Sequence, residues 1–321
     1  MTPRRFVIIP ALLFLFLFLP LNTYGDSTVR IAYLQSDIHQ LACWVAVEKG
    51  FYKDAGLDVE VAGIFKAGPE EMSAFAAGAL DMGYVGEAPA TTAVANGAAK
   101  VKVLAQVNTE GSAIMVRKDS TAKTLPDLLG KRMTIPGHST VQDFLLRKAL
   151  AANHMDAKQM QITVLKPPEM IGALRTRQID GFIAWEPYPA KACTMGVGRV
   201  LLTSNQIWKD HPCCVLVADN RFLSSRPDDA RSLVEAHVLA TEFINAHPDE
   251  AVRIGVKYTG MDEKTVRLAM ENVNYTYVLS IDGEREYVEF LNRLKYIRVP
   301  DVDDFVDDFI HQELLEDILS Q

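Results

Sequence analysis

Cysteine, tryptophan and runs of basic residues are all scarce in this chain. Its 321 residues include four Cys and three Trp, with a formal net charge of −8. An acidic chain without basic clusters lacks the electrostatic footprint that holds nucleic acid or anionic membranes. The glycine signatures of nucleotide binding are missing, both G-x-x-x-x-G-K-[ST] and G-x-G-x-x-G, as is the G-x-S-x-G elbow of serine hydrolases. Seven scattered His residues offer no clustered metal-catalytic pattern. Nothing in the sequence therefore supports catalysis, and neither cofactor nor metal is expected.

The few cysteines are Cys43, Cys193, Cys213 and Cys214. Four thiols allow three full pairings that sequence cannot rank, and a bond between the adjacent pair would be strained. His211-Pro-Cys-Cys fits no common zinc spacing. Cys213-Cys-Val-Leu-Val-Ala reads instead as a buried strand whose thiols serve as small apolar groups. A long apolar run occurs at Val7–Leu19, behind Arg4 and Arg5 and ahead of small residues near Gly25. That layout predicts a secretory signal peptide over 1–25, too short for a comfortable membrane span, with no Cys at the cut for a lipid anchor.

What is present is an internal duplication. Residues 69–87 and 168–186 align without a gap at an offset of 99, with Pro69/Pro168, Glu70/Glu169, Ala74/Ala173, Asp81/Asp180 and Glu87/Glu186 identical. Each copy reads as a helix opened by Pro-Glu, a turn at the Asp, then a short apolar strand ending at a Glu. Arg30-Ile-Ala-Tyr-Leu begins a strand–loop–helix before the first copy, and Arg132-Met-Thr-Ile does so before the second. Each half is thus β-loop-α-β-α-β, the pattern of parallel βαβ units. Strand 213–218 and helices from 226 onward follow, and those helices are expected to pack back on the first half. The acidic stretch Asp301–Asp317 lacks the calcium-loop pattern. Phe305, Phe309, Leu314, Leu315 and Ile318 place it on one amphipathic helix.

Ligands of open α/β sheets sit beyond the carboxyl ends of the strands. In the first half those ends offer Gln35, Asp37 and His39, then Gly86, Glu87 and Ala88. In the second they offer Pro136-Gly-His138-Ser139-Thr140 with Asp143, directly before a helix over about 140–152, then Trp185 and Glu186. Backbone amides at such a helix start can receive an oxyanion without Lys or Arg. Ser139 can equally be a simple N-cap, Trp185 core, and each Glu a partner for helix-start amides.

Ala46–Gly56 (AVEKGFYKDAG), Ala77–Pro89 (AGALDMGYVGEAP), Gly130–Ser139 (GKRMTIPGHS) and Ile179–Tyr188 (IDGFIAWEPY) together resemble the substrate-binding proteins of nitrate, taurine and aliphatic-sulfonate ABC importers. The resemblance covers nearly the whole mature chain. It implies an α/β type II periplasmic-binding fold of two lobes, each a mostly parallel sheet flanked by helices, with the ligand cleft between them. Lobe one is expected to comprise 26–118 and 219–321, and lobe two 119–218. It also implies a periplasmic, monomeric binding protein rather than an enzyme. Such a protein delivers a small organic anion or zwitterion to ABC permease membrane subunits by hinge closure. Where sulfonate binders have a Gly-Ser-Ser type loop, this chain has Gly137-His-Ser-Thr.

If Asp37, Glu87, Asp143 and Glu186 all faced the cleft ionised, a bare oxyanion would be repelled by about 1–4 kcal/mol per close pair. Either some of them are structurally engaged, or the ligand carries a positive group, as taurine or a cationic thiamine precursor does. A pyrimidine-synthase-like enzyme on the same fold and a receptor-type sensing module are the remaining readings.

Overall fold

The computed structural model describes residues 28–320, so the expected signal peptide lies outside the described residues. Eleven strands form two sheets: β1 (Val29–Leu34), β2 (Val59–Phe65), β3 (Met82–Gly86), β4 (Val101–Glu110), β5 (Ser112–Arg117), β6 (Arg132–Ile135), β7 (Gln161–Val164), β8 (Gly181–Trp185), β9 (Gly198–Thr203), β10 (Pro212–Asp219) and β11 (Val273–Tyr275). One sheet has the order β2-β1-β3-β10-β4-β11, the other β7-β6-β8-β5-β9. In each, three parallel strands are followed by antiparallel ones. The fold is thus α/β, two sheets flanked by helices, as expected.

The duplication is structural as well as textual. Helix Gly68–Ala76 and β3 correspond, at the offset of 99, to helix Pro167–Arg175 and β8. Pro stands at the first turn of both helices, where a missing N–H is harmless. The same polar clamp closes both turns. Asp81 accepts from the backbone N–H, Nε and Nη2 of Arg30, and Asp180 accepts from the same three groups of Arg132. Hydrogen bonding to Arg132 holds the Asp180 carboxyl well below the usual carboxylate range. For Asp81 burial opposes the shift, but Arg30 outweighs it and the pKa again lies below the usual range.

The two sheets exchange strands. The chain leaves the first sheet along β4, turns at Glu110-Gly111, and enters the second as β5; it returns through β10. Both turn residues have left-handed backbone, φ 66° and 84°. Long helices of the C-terminal third cover the first sheet, with Trp44 stacked on Tyr258 at 5.1 Å and His237 Nε2 2.8 Å from the Gln106 carbonyl. Two elements depart from the sequence reading. β11 adds an edge strand within the stretch read as wholly helical, by pairing with β4. The acidic tail forms two helices, Val302–Phe309 and Gln312–Leu319, parted at Ile310, which bridges Val103. A neighbouring strand edge thus interrupts a periodicity that would suit one helix.

Candidate functional site

The carboxyl ends of β1, β3, β6 and β8 face one another across the two sheets. Ile38 N–H donates to the Glu186 carbonyl at 3.2 Å, and Tyr188 Oη approaches the Gln35 carbonyl at 3.4 Å. Gly86 abuts the start of helix Val141–Ala152, so a Cβ there would lie 3.2 Å from Val141 Cγ2. Trp185 packs in one apolar cluster with Leu34 of the opposite sheet and Ala67, which precedes helix Gly68–Ala76. The lobes are therefore drawn together, and most of the residues expected from the sequence lie at this junction.

After β1, Ser36 takes a left-handed backbone (φ 51°) that turns the chain inward. Asp37 then caps a short 3-10 turn, accepting from His39 N–H and Gln40 Nε2, both at 3.0 Å. Asp37, His39 and Gln40 are buried, whereas Gln35 is exposed. Burial pushes the Asp37 carboxyl up to about 6, despite the opposing pull of His39. For His39 burial acts downward, but Asp37 and the Cys213 sulfur outweigh it and hold the imidazole at about 9.

After β3, Glu87 opens helix Glu87–Ala95, whose first amides have no side-chain cap, and Ala88 is buried beside it. Glu87 accepts from Gln106 Nε2 at 3.2 Å. Desolvation raises its pKa to about 7 and also holds its neighbour Glu284 well above the usual range. Two facing buried carboxyls do not both ionise, so this corner carries less negative charge than a count of acids suggests.

After β6, the N-cap of helix Val141–Ala152 is Thr140, which accepts from Asp143 N–H; Ser139, at φ 60°, makes the preceding turn. Asp143 is fully engaged by Arg147 Nε at 2.8 Å, Tyr296 Oη at 3.0 Å and Ser139 N–H at 3.2 Å. Its carboxylate is thus a structural tie between helix and C-terminal segment. The His138 side chain is 65% exposed and is not brought into the junction.

After β8, Trp185 is buried with an indole N–H that has no protein partner. Glu186 receives Asn272 Nδ2 at 2.8 Å and Ala190 N–H at 3.0 Å, the helix-start role open to it from sequence. Its burial pushes the pKa to about 7.

All four suspect carboxylates accept hydrogen bonds within the protein, and burial raises the pKa of three of them, Asp37, Glu87 and Glu186. Sequence reasoning missed Gln106, Glu284, Asn272 and Gly111. They come from a crossing strand and from C-terminal elements that carry no local motif. It also undervalued Cys213 and Cys214, which lie on β10 directly beneath His39. A cavity of about 530 Å³ adjoins this junction between the edges of β9 and β11. Of the expected residues only Glu186 lines it, with Glu110, Asp210 and Glu271, a carboxylate wall unsuited to a bare anion.

The chain matches the NMT1-like family over residues 23–256. A protein of Brucella abortus, named only as a binding protein, is 28% identical over 259 residues, covering 79% of each chain. A protein of Escherichia coli named for binding aliphatic sulfonates is 32% identical over 138 residues, 43% of each chain. Among solved structures, the periplasmic nitrate-binding protein NrtA of Synechocystis PCC 6803 superposes with a TM-score of 0.81 at 19% identity, covering 91% of this chain and 88% of that one. No helix among the described residues is long and apolar enough to cross a membrane.

Proposed function

The chain belongs to the NMT1-like family, and from that premise we propose that it is the solute-binding component of an ABC importer, taking a small oxyanion or zwitterion of the nitrate or sulfonate kind. The observation that carries this reading is the unpartnered Trp185 indole N–H, buried where the two lobes meet. A buried donor without an acceptor is costly, by about 1–3 kcal/mol. A ligand oxygen between the lobes would satisfy it.

The start of helix Glu87–Ala95 lies at the same junction, and uncapped amides there carry the partial positive charge that receives anions. Electrostatics permits this. Asp143 is paired with Arg147, Asp37 lies beside His39, and Glu87 and Glu186 are held partly neutral, so the repulsion is smaller than four free carboxylates would give. Contacts from both lobes give the ligand differential affinity for the closed form, which is what drives closure. The closed form would then present the surface read by the permease in the periplasm.

A thermal-shift and calorimetric screen tests this. Sulfonates, taurine, nitrate and bicarbonate are compared with amino acids and thiamine precursors. One of the anions or zwitterions is expected to raise the melting temperature, since ligand at a hundredfold excess over Kd stabilises by about 2.7 kcal/mol. Stabilisation by cationic heterocycles alone would overturn it.

A further inference from the structure

Three donor atoms outside the Trp185 corner converge on one point. His39 Nδ1 lies 3.5 Å from Cys213 Sγ and 3.7 Å from Cys214 Sγ, and the three atoms lie within 4.8 Å of one another. All three residues are buried. Adjacent residues of a regular strand point to opposite faces, so two neighbouring thiols should not reach one imidazole. Here they do because β10 is irregular: Cys213 has no partner in the register with β4, and the pairing slips on either side of Cys214. Bulges re-aim side chains in this way and are frequent beside functional sites.

The imidazole is set for ligation. His39 Nε2 lies 3.0 Å from the Gly111 carbonyl, which can only accept, so Nε2 carries a hydrogen, and Nδ1 is the atom turned to the sulfurs and to Asp37 Oδ1 at 3.4 Å. An imidazole nitrogen aimed at soft donors while its other N–H is anchored to a carbonyl is the usual orientation of a metal-bound His. Gly111 makes the approach possible, since a Cβ there would stand 2.2 Å from Nε2. Gln40 Nε2 bridges from Asp37 to Cys214 Sγ at 3.6 Å, holding the loop and the second thiol in place.

We propose that His39, Cys213 and Cys214 bind one divalent ion of the zinc class, with a fourth coordination position left to Asp37, water or a donor atom of the solute. The spacing supports it. Metal–sulfur and metal–nitrogen bonds of about 2.3 and 2.05 Å at a tetrahedral angle put ligand nitrogen and sulfur about 3.5 Å apart. The alternatives fit less well. The single Nδ1 position makes one good hydrogen bond whichever partner holds the proton, so hydrogen bonding alone leaves the second sulfur with only the 3.6 Å approach of Gln40 Nε2. A bond between adjacent cysteines would be strained. The sequence expectation of no metal came from testing His211-Pro-Cys-Cys as a contiguous motif. His211 instead stacks on Trp208 and keeps Nδ1 against the Pro212 carbonyl, and the third donor comes from 174 residues upstream of Cys213.

The inference is independent of which solute is carried. The test uses the reduced, chelator-treated protein and cobalt(II) as a spectroscopic probe. The expected result is a thiolate-to-cobalt charge-transfer band with tetrahedral visible bands, saturating at one cobalt per chain and bleached by zinc. His39→Gln, Cys213→Ser and Cys214→Ser should each weaken cobalt binding at least about tenfold, while Cys193→Ser leaves it unchanged.

Should the serine variants fail to fold, alkylation of the unmodified protein followed by mass spectrometry gives the answer. Zinc should slow modification of Cys213 and Cys214 more than that of the equally buried Cys43. Absence of the charge-transfer band, its survival in His39→Gln, or equal protection of Cys43 would overturn the assignment.

Discussion

Trp185 shows how much one buried side chain can carry. Its ring shares one buried apolar cluster with Leu34 and Ala67 of the facing lobe, and its N–H has no protein acceptor. Trp185→Phe keeps most of the apolar contact and deletes the donor. Hydrogen bonds to charged groups contribute about 1.5–3 kcal/mol, so the Kd for the anion should rise about 10- to 100-fold. The melting temperature of the ligand-free protein should scarcely move; calorimetry and a thermal melt check both.

Glu87 supplies a second test at this scale. Its pKa of about 7 means that the neutral carboxyl predominates below neutrality and the carboxylate above it. An anion at the start of its helix is therefore bound more tightly at pH 6 than at pH 8.5. Glu87→Gln should reduce that pH dependence while keeping the pH 6 affinity, the remainder coming from Glu186, whose pKa is also about 7. A Kd that rises with pH equally in the variant would assign the effect to another group.

Among the elements, the paired Arg–Asp clamps are the clearest product of the duplication. Each ties the start of a first strand, β1 or β6, to the turn before a later one, β3 or β8. Both aspartates have folded pKa values below the unfolded ones. Their contribution is thus present above the ordinary carboxylate range and is lost as pH falls through it and below. Asp180→Asn should lower the melting temperature at pH 7 but matter progressively less below about pH 4. Removing charged hydrogen bonds of this kind costs about 1–3 kcal/mol. A melting difference that stays constant from pH 7 to pH 3 would show that the clamp is not electrostatic.

The repeat was legible from sequence because identical Pro, Glu and Asp residues recur at one offset with matching apolar positions. The clamps were legible only in part. The aspartates stood out, but their arginines lie 51 and 48 residues away, and pairing over such distances has no local signature.

For the whole molecule, closure is a matter of two bodies meeting over a seam that includes helix Val141–Ala152 packed on helix Ile281–Arg293, with the Phe144 ring 4.3 Å from that of Tyr287. Gly86 sits there in extended backbone with Val141 of the other lobe against it. Gly86→Val should hold the lobes apart, its side chain meeting Val141 of the other lobe and Pro89 of its own. The expected outcome is weaker ligand binding by about tenfold or more, with a radius of gyration by X-ray scattering that no longer contracts on adding ligand. Ion pairs across the seam, Lys166 with Glu70, Lys191 with Asp262 and Lys148 with Glu286, are partly exposed and contribute at most about 1 kcal/mol each. High salt alone should therefore loosen closure only slightly.

The sequence by itself determined the class of fold and the duplicated halves. It also located the four strand ends that meet at the junction, because hydrophobic periodicity, Pro-Glu helix starts and turn residues act over a few residues. Only the tertiary structure decided what those strand ends do electrically. Asp143 is paired with Arg147 and hydrogen-bonded by Tyr296, Glu186 is occupied by Asn272, and Glu87 is raised by desolvation beside Glu284, residues up to 197 positions apart. It also brought His39 onto the two adjacent thiols, through a slip in strand pairing that no spacing rule contains. Charge state and donor geometry depend on distance and burial in space, and the linear chain specifies neither until it has folded.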